Sequence, residues 1–450
     1  MPSVSIFDQI LSFDNRANPY PLYADLRRTP VSRADDGSYV VSTYRDIVAL
    51  LHDPRVSSDE RNRRDYDEEK EVSKESVPGL PPSFIQLDPP EHDRIRRLLT
   101  RHFGPPHEPD RIVSMAPDMA EIVGGLIGNL ADHNEADLVE EVTYPFPVTV
   151  ICRLLGVPRE DQPRFRRWAD IIISSIDPTT GDFITRRRRA NEARAELGAY
   201  LGELADADRD RPGDDMLSQL AAEDGPEGQL SRDELMSNAA LLLIAGHETT
   251  VNLIGNGMLT LLRHPEVLQR LRRHPDLSAR VVEELLRYEP PVQFLPNRTA
   301  LDDIDVAGTT IPRGEKITLV LAAGSRDPEH VPHADQFDPD RPENEHLGFG
   351  GGIHYCFGAP LARTEAQIAL PELVRRLENL RLVSDPPPYR PSPILRGPRH
   401  LPVQFDHVAP APAGRGREQR DAERQLHSVL AVAAGRRERN EGREKKAVRI

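Results

Sequence analysis

The chain has 450 residues, a formal net charge of −15 and two cysteines. This acidity disfavours general nucleic-acid binding, and two cysteines are too few for a disulfide framework. The N-terminal residues carry neither a signal-peptide pattern nor an apolar run long enough to span a bilayer. We therefore expect a cytoplasmic protein without a membrane span.

The first predicted elements are short. Residues 39–52 predict a strand and then a helix that begins at Tyr44 and ends at His52. Residues 53–80 are charged and indicate a loop, and residues 110–210 show repeated helical periodicity. Cys152 lies on an apolar part of that helical region, which favours a place in the core.

A long apolar helix is predicted in the second half of the chain. Ser231 and Glu234 have the spacing of a capping box, in which a hydroxyl and a carboxylate close the first helical turn. The apolar stretch that follows continues to His264, which is roughly 50 Å of helix at about 1.5 Å per residue. A helix so apolar must be buried on nearly all sides.

The C-terminal part changes in character. Strand-like segments occur at residues 316–320 and 401–405. From residue 409 to the end, the chain holds 11 Lys and Arg against 6 Asp and Glu. This composition cannot support a core, so we expect residues 409–450 to form a basic, disordered tail.

Cys356 is the most informative single residue. It lies in a glycine-rich turn, residues 349–358, directly before a helix-forming stretch. The helix dipole should lower the pKa of the thiol and make the thiolate available to a metal. No second cysteine is near, which disfavours a cysteine-based zinc site or an iron–sulfur cluster. A lone thiolate is the axial ligand of haem-thiolate enzymes, and the alternative is a turn with a buried cysteine.

Two further motifs carry polar groups in helical stretches. Glu248 and Thr249 place an acid beside an alcohol within the long apolar helix, where an unpartnered carboxylate would be costly. Glu284 and Arg287 are three residues apart, so they share a helix face and can form an ion pair. Taken alone, the first pair is also explained by helix–helix contacts and the second by an ordinary helix surface.

Together these motifs identify a resemblance. The run from Phe349 to Gly358 matches F-x-x-G-x-x-x-C-x-G of the cytochrome P450 family, and the A-G-x-E-T and E-x-x-R motifs precede it in the family's order. The resemblance covers residues 15–406. It implies one mostly α-helical domain with small β sheets, residues 1–408, and haem b (iron protoporphyrin IX) buried between the long helix and the cysteine loop. Cys356 would then be the axial iron ligand.

The resemblance also implies roles for the long helix. Glu248 and Thr249 would deliver protons where the helix widens locally to admit dioxygen. Gly246 would permit close approach of the flat haem, and Ala245 would lie over its face. Glu284, Arg287 and Arg341 would form a structural lock rather than part of the catalytic machinery.

Four basic residues match the family's contacts to the haem propionates. His92 and Arg96 are four apart and project from one helix face, and Arg298 and His354 are the other two. Charge-assisted bonds from such groups would hold the carboxylates, and Phe349 belongs to the haem loop. A solvated basic helix face, or a zinc site at His354 and Cys356, are the alternatives.

The implied activity is monooxygenation. One atom of O₂ enters a small hydrophobic substrate by hydroxylation or epoxidation, with a terpenoid, macrolide or steroid as examples. Electrons would come from NAD(P)H through a ferredoxin or flavodoxin-like donor. This donor would dock near Arg94, Arg97 and Arg101, and the protein itself is expected to be a monomer. A peroxide-driven peroxygenase and a non-enzymatic haem sensor or scaffold stay open. The pocket-lining candidates by family position are Phe84, Ile173, Leu242, Phe294, Leu295 and Ile394.

Overall fold

The computed structural model describes residues 4–66, 80–104, 108–175, 182–207, 213–223, 228–342 and 344–410. Residues 67–79 of the predicted loop at 53–80, and the tail beyond residue 410, lie outside these residues. The α-helices are α1 (Ile6–Leu11), α2 (Tyr20–Arg27), α3 (Tyr44–His52), α4 (Glu91–Thr100), α5 (Pro109–Ser114), α6 (Ala116–Gly128), α7 (Pro145–Leu154), α8 (Gln162–Ser175), α9 (Phe183–Ala207), α10 (Met216–Ala222), α11 (Arg232–Arg263), α12 (Pro265–Arg273), α13 (Ser278–Tyr288), α14 (Leu321–Ser325) and α15 (Ala359–Arg376).

The strands are short and lie mostly at the two ends of the chain. They are β1 (Val31–Arg33), β2 (Tyr39–Val41), β3 (Val56–Ser57), β4 (Glu135–Asp137), β5 (Leu295–Ala300), β6 (Ile304–Val306), β7 (Thr309–Ile311), β8 (Lys316–Leu319), β9 (Arg381–Leu382) and β10 (Pro402–Gln404). One sheet has the order β1-β2-β8-β5-β3, a second β4-β10-β9, and a hairpin joins β6 to β7. Only the β2–β8 pair is parallel among the pairings of the described strands.

The predicted helices and strands are confirmed where the structure describes them, whereas the predicted loop contains β3 and a 3₁₀ helix at Glu60–Asn62. The strand at β2 and the helix α3 follow one another as expected, and strands occupy both predicted C-terminal segments. Cys152 is fully buried on α7. The protein is mostly α-helical with small sheets, which is the predicted fold class.

The long helix α11 organises the larger core. Its first turn is closed by the predicted capping box, with the Ser231 hydroxyl accepting from the N–H of Glu234 and the Glu234 carboxylate accepting from the N–H of Ser231. Helices α7, α9, α13 and α15 pack around it. Because apolar side chains cover most of its circumference, burial on several sides is the favourable arrangement. Two smaller apolar clusters lie at the five-stranded sheet and at the N-terminal helices.

The end of the domain lies slightly later than expected. Ala409, which the sequence analysis assigns to the tail, donates its N–H to the carbonyl of Arg376 and accepts a hydrogen bond from that arginine's side chain. Val408 also forms a β-bridge with Leu377. The contacts of the domain therefore extend through Ala409. No helix in the described part of the chain is both long and apolar enough to cross a membrane.

Candidate active site

One stripe of the long helix is left open. Most of α11 from Leu235 to Leu261 is buried, yet Ala245 is exposed and Leu241 and Thr249 keep partial exposure. These three positions are four residues apart, so they lie along one face of the helix. The open face therefore coincides with the A-G-x-E-T motif, and it has apolar side chains beside a single hydroxyl.

Two structural features bear on the roles expected of this motif. The helix is continuous from Arg232 to Arg263, and the Thr249 hydroxyl donates to the Ala245 carbonyl at 2.6 Å. Gly246 does not face the open stripe. A Cβ there would lie 3.3 Å from the side chain of Ile151 on α7, so the glycine permits close packing of two helices.

Glu248 is held by a cation that the motif does not contain. Its side chain is 3% exposed, and its Oε1 lies 2.9 Å from Nε of Arg390, in the loop before β10. Burial raises the pKa of Glu248, and the charge of Arg390 partly opposes that rise. An uncompensated buried carboxylate would be costly, so this ion pair is what allows an acid in the apolar helix.

The cysteine loop is shaped by glycine. Gly352 has φ of +61°, and a Cβ there would lie 1.9 Å from the carbonyl oxygen of Leu51 on α3, so no side chain fits. The N–H of Cys356 donates to the carbonyl of Phe349 at 2.9 Å, which closes the loop. Cys356 thereby precedes the first turn of α15, as the sequence predicts.

An ion pair fastens this loop to α13. Arg363 donates to both carboxylate oxygens of Glu283, from Nε at 2.6 Å and Nη2 at 3.0 Å. Its guanidinium lies 4.5 Å from the ring centroid of Phe349, and its Nη1 donates to the Tyr355 hydroxyl. Burial alone would raise the pKa of Glu283, but the His346 hydrogen bond and the Arg363 charge lower it. This pair was not predicted from the sequence, although Arg363 lies only seven residues after Cys356.

The expected low pKa of Cys356 is wrong for the protein alone. Burial raises the pKa of the thiol, and the backbone N–H groups of Gly358 and Ala359 and the charges of Arg363 and Arg96 only partly offset it. The dipole argument is correct in sign but smaller than the desolvation of the thiolate. A bound metal cation would be the remaining source of stabilisation for that anion.

A cationic group surrounds His354. The rings of His92 and His354 lie 4.5 Å apart, edge to face. Nε2 of His92 and both ring nitrogens of His354 are buried without a hydrogen-bond partner. Burial, together with the charges of Arg298, His92 and Arg96, lowers the pKa of His354 to about 3. Buried donors without acceptors, next to two guanidinium groups, fit a bound carboxylate.

Arg96 joins this group to the cysteine loop. Its Nη2 donates to the carbonyl of Tyr355, next to Cys356, at 2.6 Å. The Phe84 N–H donates to Oδ1 of Asn238 on α11, and the Phe84 ring lies 5.8 Å from that of Phe357 in the loop. Phe84 therefore connects the long helix with the cysteine loop, and it is buried.

The other pocket candidates are distributed over three apolar clusters. Leu242 is buried on α11, in the larger core. Phe294 and Ile394 are buried in the N-terminal cluster, where Ile173 is only partly buried, and Leu295 packs at the sheet. The Phe294 ring meets Phe7 edge to face at 5.3 Å and is 2% exposed. The Phe294 side chain thus packs in the N-terminal cluster.

The basic patch on α4 is partly neutralised. Arg94 forms an ion pair with Glu234, and Arg101 pairs with Glu223 at 2.5 Å. Both are partly exposed, and these carboxylates partly offset their positive charge. Arg97 is exposed.

The predicted structural lock is present. Glu284 and Arg287 are fully buried and joined by two hydrogen bonds of 2.8 and 2.7 Å. Arg341 donates from Nε to the same carboxylate at 3.3 Å. The pair lies on α13 beside Glu283, so the lock and the anchor of the cysteine loop belong to the same helix.

The comparisons with known proteins agree with this geometry. The family model described as Cytochrome P450 matches residues 37–405. Cytochrome P450 monooxygenase PikC of Streptomyces venezuelae is 40% identical over 408 residues, covering 88% of this chain and 93% of PikC. Vitamin D(3) 25-hydroxylase of Pseudonocardia autotrophica is 39% identical over 86% of this chain and 93% of its own length.

Solved structures give the same result. Ligand-free CYP164A2 of Mycobacterium smegmatis superposes with a TM-score of 0.80 at 38% identity, covering 89% of this chain and 99% of the other. Myxobacterial CYP267B1, in complex with myristic acid, also reaches 0.80 at 38% identity, over 89% of this chain and all of the other. The chain belongs to the cytochrome P450 family, whose members are haem-thiolate monooxygenases that hydroxylate or epoxidise their substrates.

Proposed function

We propose that the open stripe on α11 and the cysteine loop enclose haem b, with Cys356 as axial ligand. The observation that carries this proposal is the cluster of buried, unpartnered nitrogens on His92 and His354. With Arg96 and Arg298 they form a site for two carboxylates. The propionates of iron protoporphyrin IX supply that chemistry, and Phe349 would pack beneath the ring.

Different residues of the chain have different roles in the proposed reaction. When bound, the haem supplies the oxygen chemistry, in which two electrons and two protons are consumed for each oxygen atom inserted. Ala245, which is exposed on the open stripe, would leave room for the flat group. Thr249 holds a hydroxyl at the open stripe, and Glu248 supplies it with protons. The apolar neighbours keep bulk water away from the reacting atoms.

The substrate is proposed to be a medium or large hydrophobic molecule. The open stripe is apolar apart from Thr249, which favours apolar surface over charge. Among the relatives are Mycinamicin IV hydroxylase/epoxidase of Micromonospora griseorubida, 37% identical, and the vitamin D(3) hydroxylase already described. A macrolide, steroid-like or terpenoid substrate is consistent with both observations. Phe84, Leu242 and Leu295 are the first candidates for its contacts, followed by Ile173, Phe294 and Ile394.

The electron donor is proposed to be a ferredoxin or flavodoxin-like protein that docks near the cysteine loop. Arg97 is exposed at this side, as are Ile353 and Tyr355 of the loop itself. We further propose a cytoplasmic location, because both cysteines are free. We also propose that the protein is a monomer, with a catalytic domain followed by a separate basic tail.

Two measurements test the function. The purified protein should show a red-shifted ferrous–CO absorption band, which thiolate ligation produces. It should then convert a macrolide or steroid that shifts the haem spin state into an oxygenated product, using NAD(P)H, a ferredoxin and its reductase. A CO band without that shift would contradict Cys356 as ligand. Product formed only with added peroxide would favour the peroxygenase class.

A further inference from the structure

A charged cluster connects the acid of the long helix with the protein surface. Glu248 is buried and paired with Arg390, whose side chain is 17% exposed. The backbone N–H of Arg390 donates to the carbonyl of Gly397 at 3.0 Å, which fixes this loop. Arg390 therefore stands between a buried carboxylate and solvent, on a backbone that is itself held.

The outer part of the cluster lies on α8. Asp170 and Arg166 are exposed there, and Arg166 donates to both carboxylate oxygens of Glu140 at 2.9 Å. Burial raises the pKa of Glu248, and the negative charge of Asp170 also raises it. The positive charges of Arg390 and Arg166 lower it. The charges of these groups therefore act on Glu248, and Asp170 and Arg166 are exposed on α8.

A small cavity lies in the same region. It is lined by Tyr144, Arg166 and His247, with apolar side chains around them, and has room for about one water molecule. His247 precedes Glu248 and is 4% exposed, its Nε2 lacks a hydrogen-bond partner, and so does the Tyr144 hydroxyl. Burial, with the charges of Arg390 and Arg166, lowers the pKa of His247 to about 3, so the ring is neutral. A water here would satisfy both unpartnered groups.

We propose that Arg390 is a positioning residue for proton delivery, and that protons reach Glu248 from the α8 surface past this water site. Arg390 holds the carboxylate in one place and keeps it able to give up a proton. The route deepens the proposed function and rests on it, because it requires Glu248 to serve Thr249. For each substrate oxidised, one oxygen atom of O₂ enters the substrate, and the other becomes water with two electrons from the donor and two protons from this route.

Arg390→Met is the central variant, and Arg390→Lys is the conservative one. Removing the positive charge should raise the pKa of Glu248 and weaken it as an acid. We expect product formed per NAD(P)H to fall roughly tenfold, which is less than the roughly 10²–10⁴-fold that general acid catalysis supplies, because Glu248 itself is kept. Hydrogen peroxide should replace the product, and the solvent deuterium isotope effect should rise. Arg390→Lys should restore much of the coupling. Arg381→Met, which removes an exposed ion pair with Asp406, is the matched control and should behave as wild type.

A second readout does not depend on turnover. Infrared difference titration of the resting protein, with Glu248→Gln to assign the band, should show the protonated carboxyl appearing at higher pH in Arg390→Met. Asp170→Asn, at an exposed position where folding is not at risk, should move it to lower pH. Wild-type titration and wild-type coupling in Arg390→Met would overturn the proposal.

A shifted titration with unchanged coupling would also overturn it, because the route would then lie elsewhere. Haem content and the CO band of each variant show whether it has folded. If Arg390→Met fails to fold, the lysine and Asp170→Asn variants carry the test, and unchanged titration in both would overturn the proposal. Wild type without any product would instead contradict the proposed function.

Discussion

Arg287→Met should be among the most damaging substitutions in the domain. The guanidinium is fully buried, pairs with Glu284, and donates to the carbonyls of Ala334 and Gln336 at 2.7 and 3.0 Å. Methionine roughly keeps the volume but leaves the Glu284 carboxylate without its main buried cation. Breaking a buried ion pair on one side costs about 3–5 kcal/mol. Against a total stability of about 5–15 kcal/mol, this is a large fraction.

The assay is urea unfolding of the haem-loaded protein, followed by far-ultraviolet circular dichroism and by haem absorbance. The midpoint should fall steeply, and haem content on purification should fall with it, because α13 also carries Glu283. Arg375→Met is the matched control. Arg375 forms an i,i+3 pair with Glu372 at 3.7 Å and is 31% exposed, and surface pairs contribute about 0–1 kcal/mol. If both variants lost less than about 1 kcal/mol, the buried pair would not be the lock described here.

Three further substitutions, one control substitution and one deletion probe the site. Cys356→Ala should abolish the red-shifted CO band and all oxygenation, which a CO difference spectrum records. Thr249→Ala should keep substrate binding and NAD(P)H consumption but divert electrons to hydrogen peroxide; unchanged coupling would place proton delivery elsewhere. Gly352→Ala should lose haem because its Cβ meets a backbone oxygen, whereas Gly125→Ala on α6, with open space around its Cβ, should keep it. Deleting residues 411–450 should leave haem content and the melting temperature unchanged, and a large loss would show that this segment supports the domain.

The structural features that depend only on neighbouring residues were predicted correctly from the sequence. The capping box at Ser231, the apolar length of α11 and the helix α3 depend on neighbouring residues, and all are as expected. Glu284 and Arg287 are three residues apart on one helix, so their pairing was also readable from spacing. The family resemblance added Arg341, which lies far along the chain and would not have been found from periodicity.

The size of a pKa shift, and contacts between residues far apart in the chain, could not be predicted from the sequence in the same way. The dipole argument gave the right sign for Cys356, but burial outweighs it, and burial depends on the completed fold. The packing contact of Gly246 was not predicted for a related reason. A missing Cβ shows that something approaches closely, and only the structure shows that this is Ile151 rather than a ligand.

The cationic partner of Glu248 could not be identified from the sequence. A buried acid requires a cation, so the existence of a partner follows from the cost of desolvation. The sequence offers 58 Lys and Arg, and nothing in the helix selects among them. Arg390 stands far along the chain, in a loop that folds back against the long helix. The chemistry of the A-G-x-E-T motif is therefore completed by a residue outside the motif. Relatives that keep this acid but replace the arginine should have to supply the positive charge from another segment.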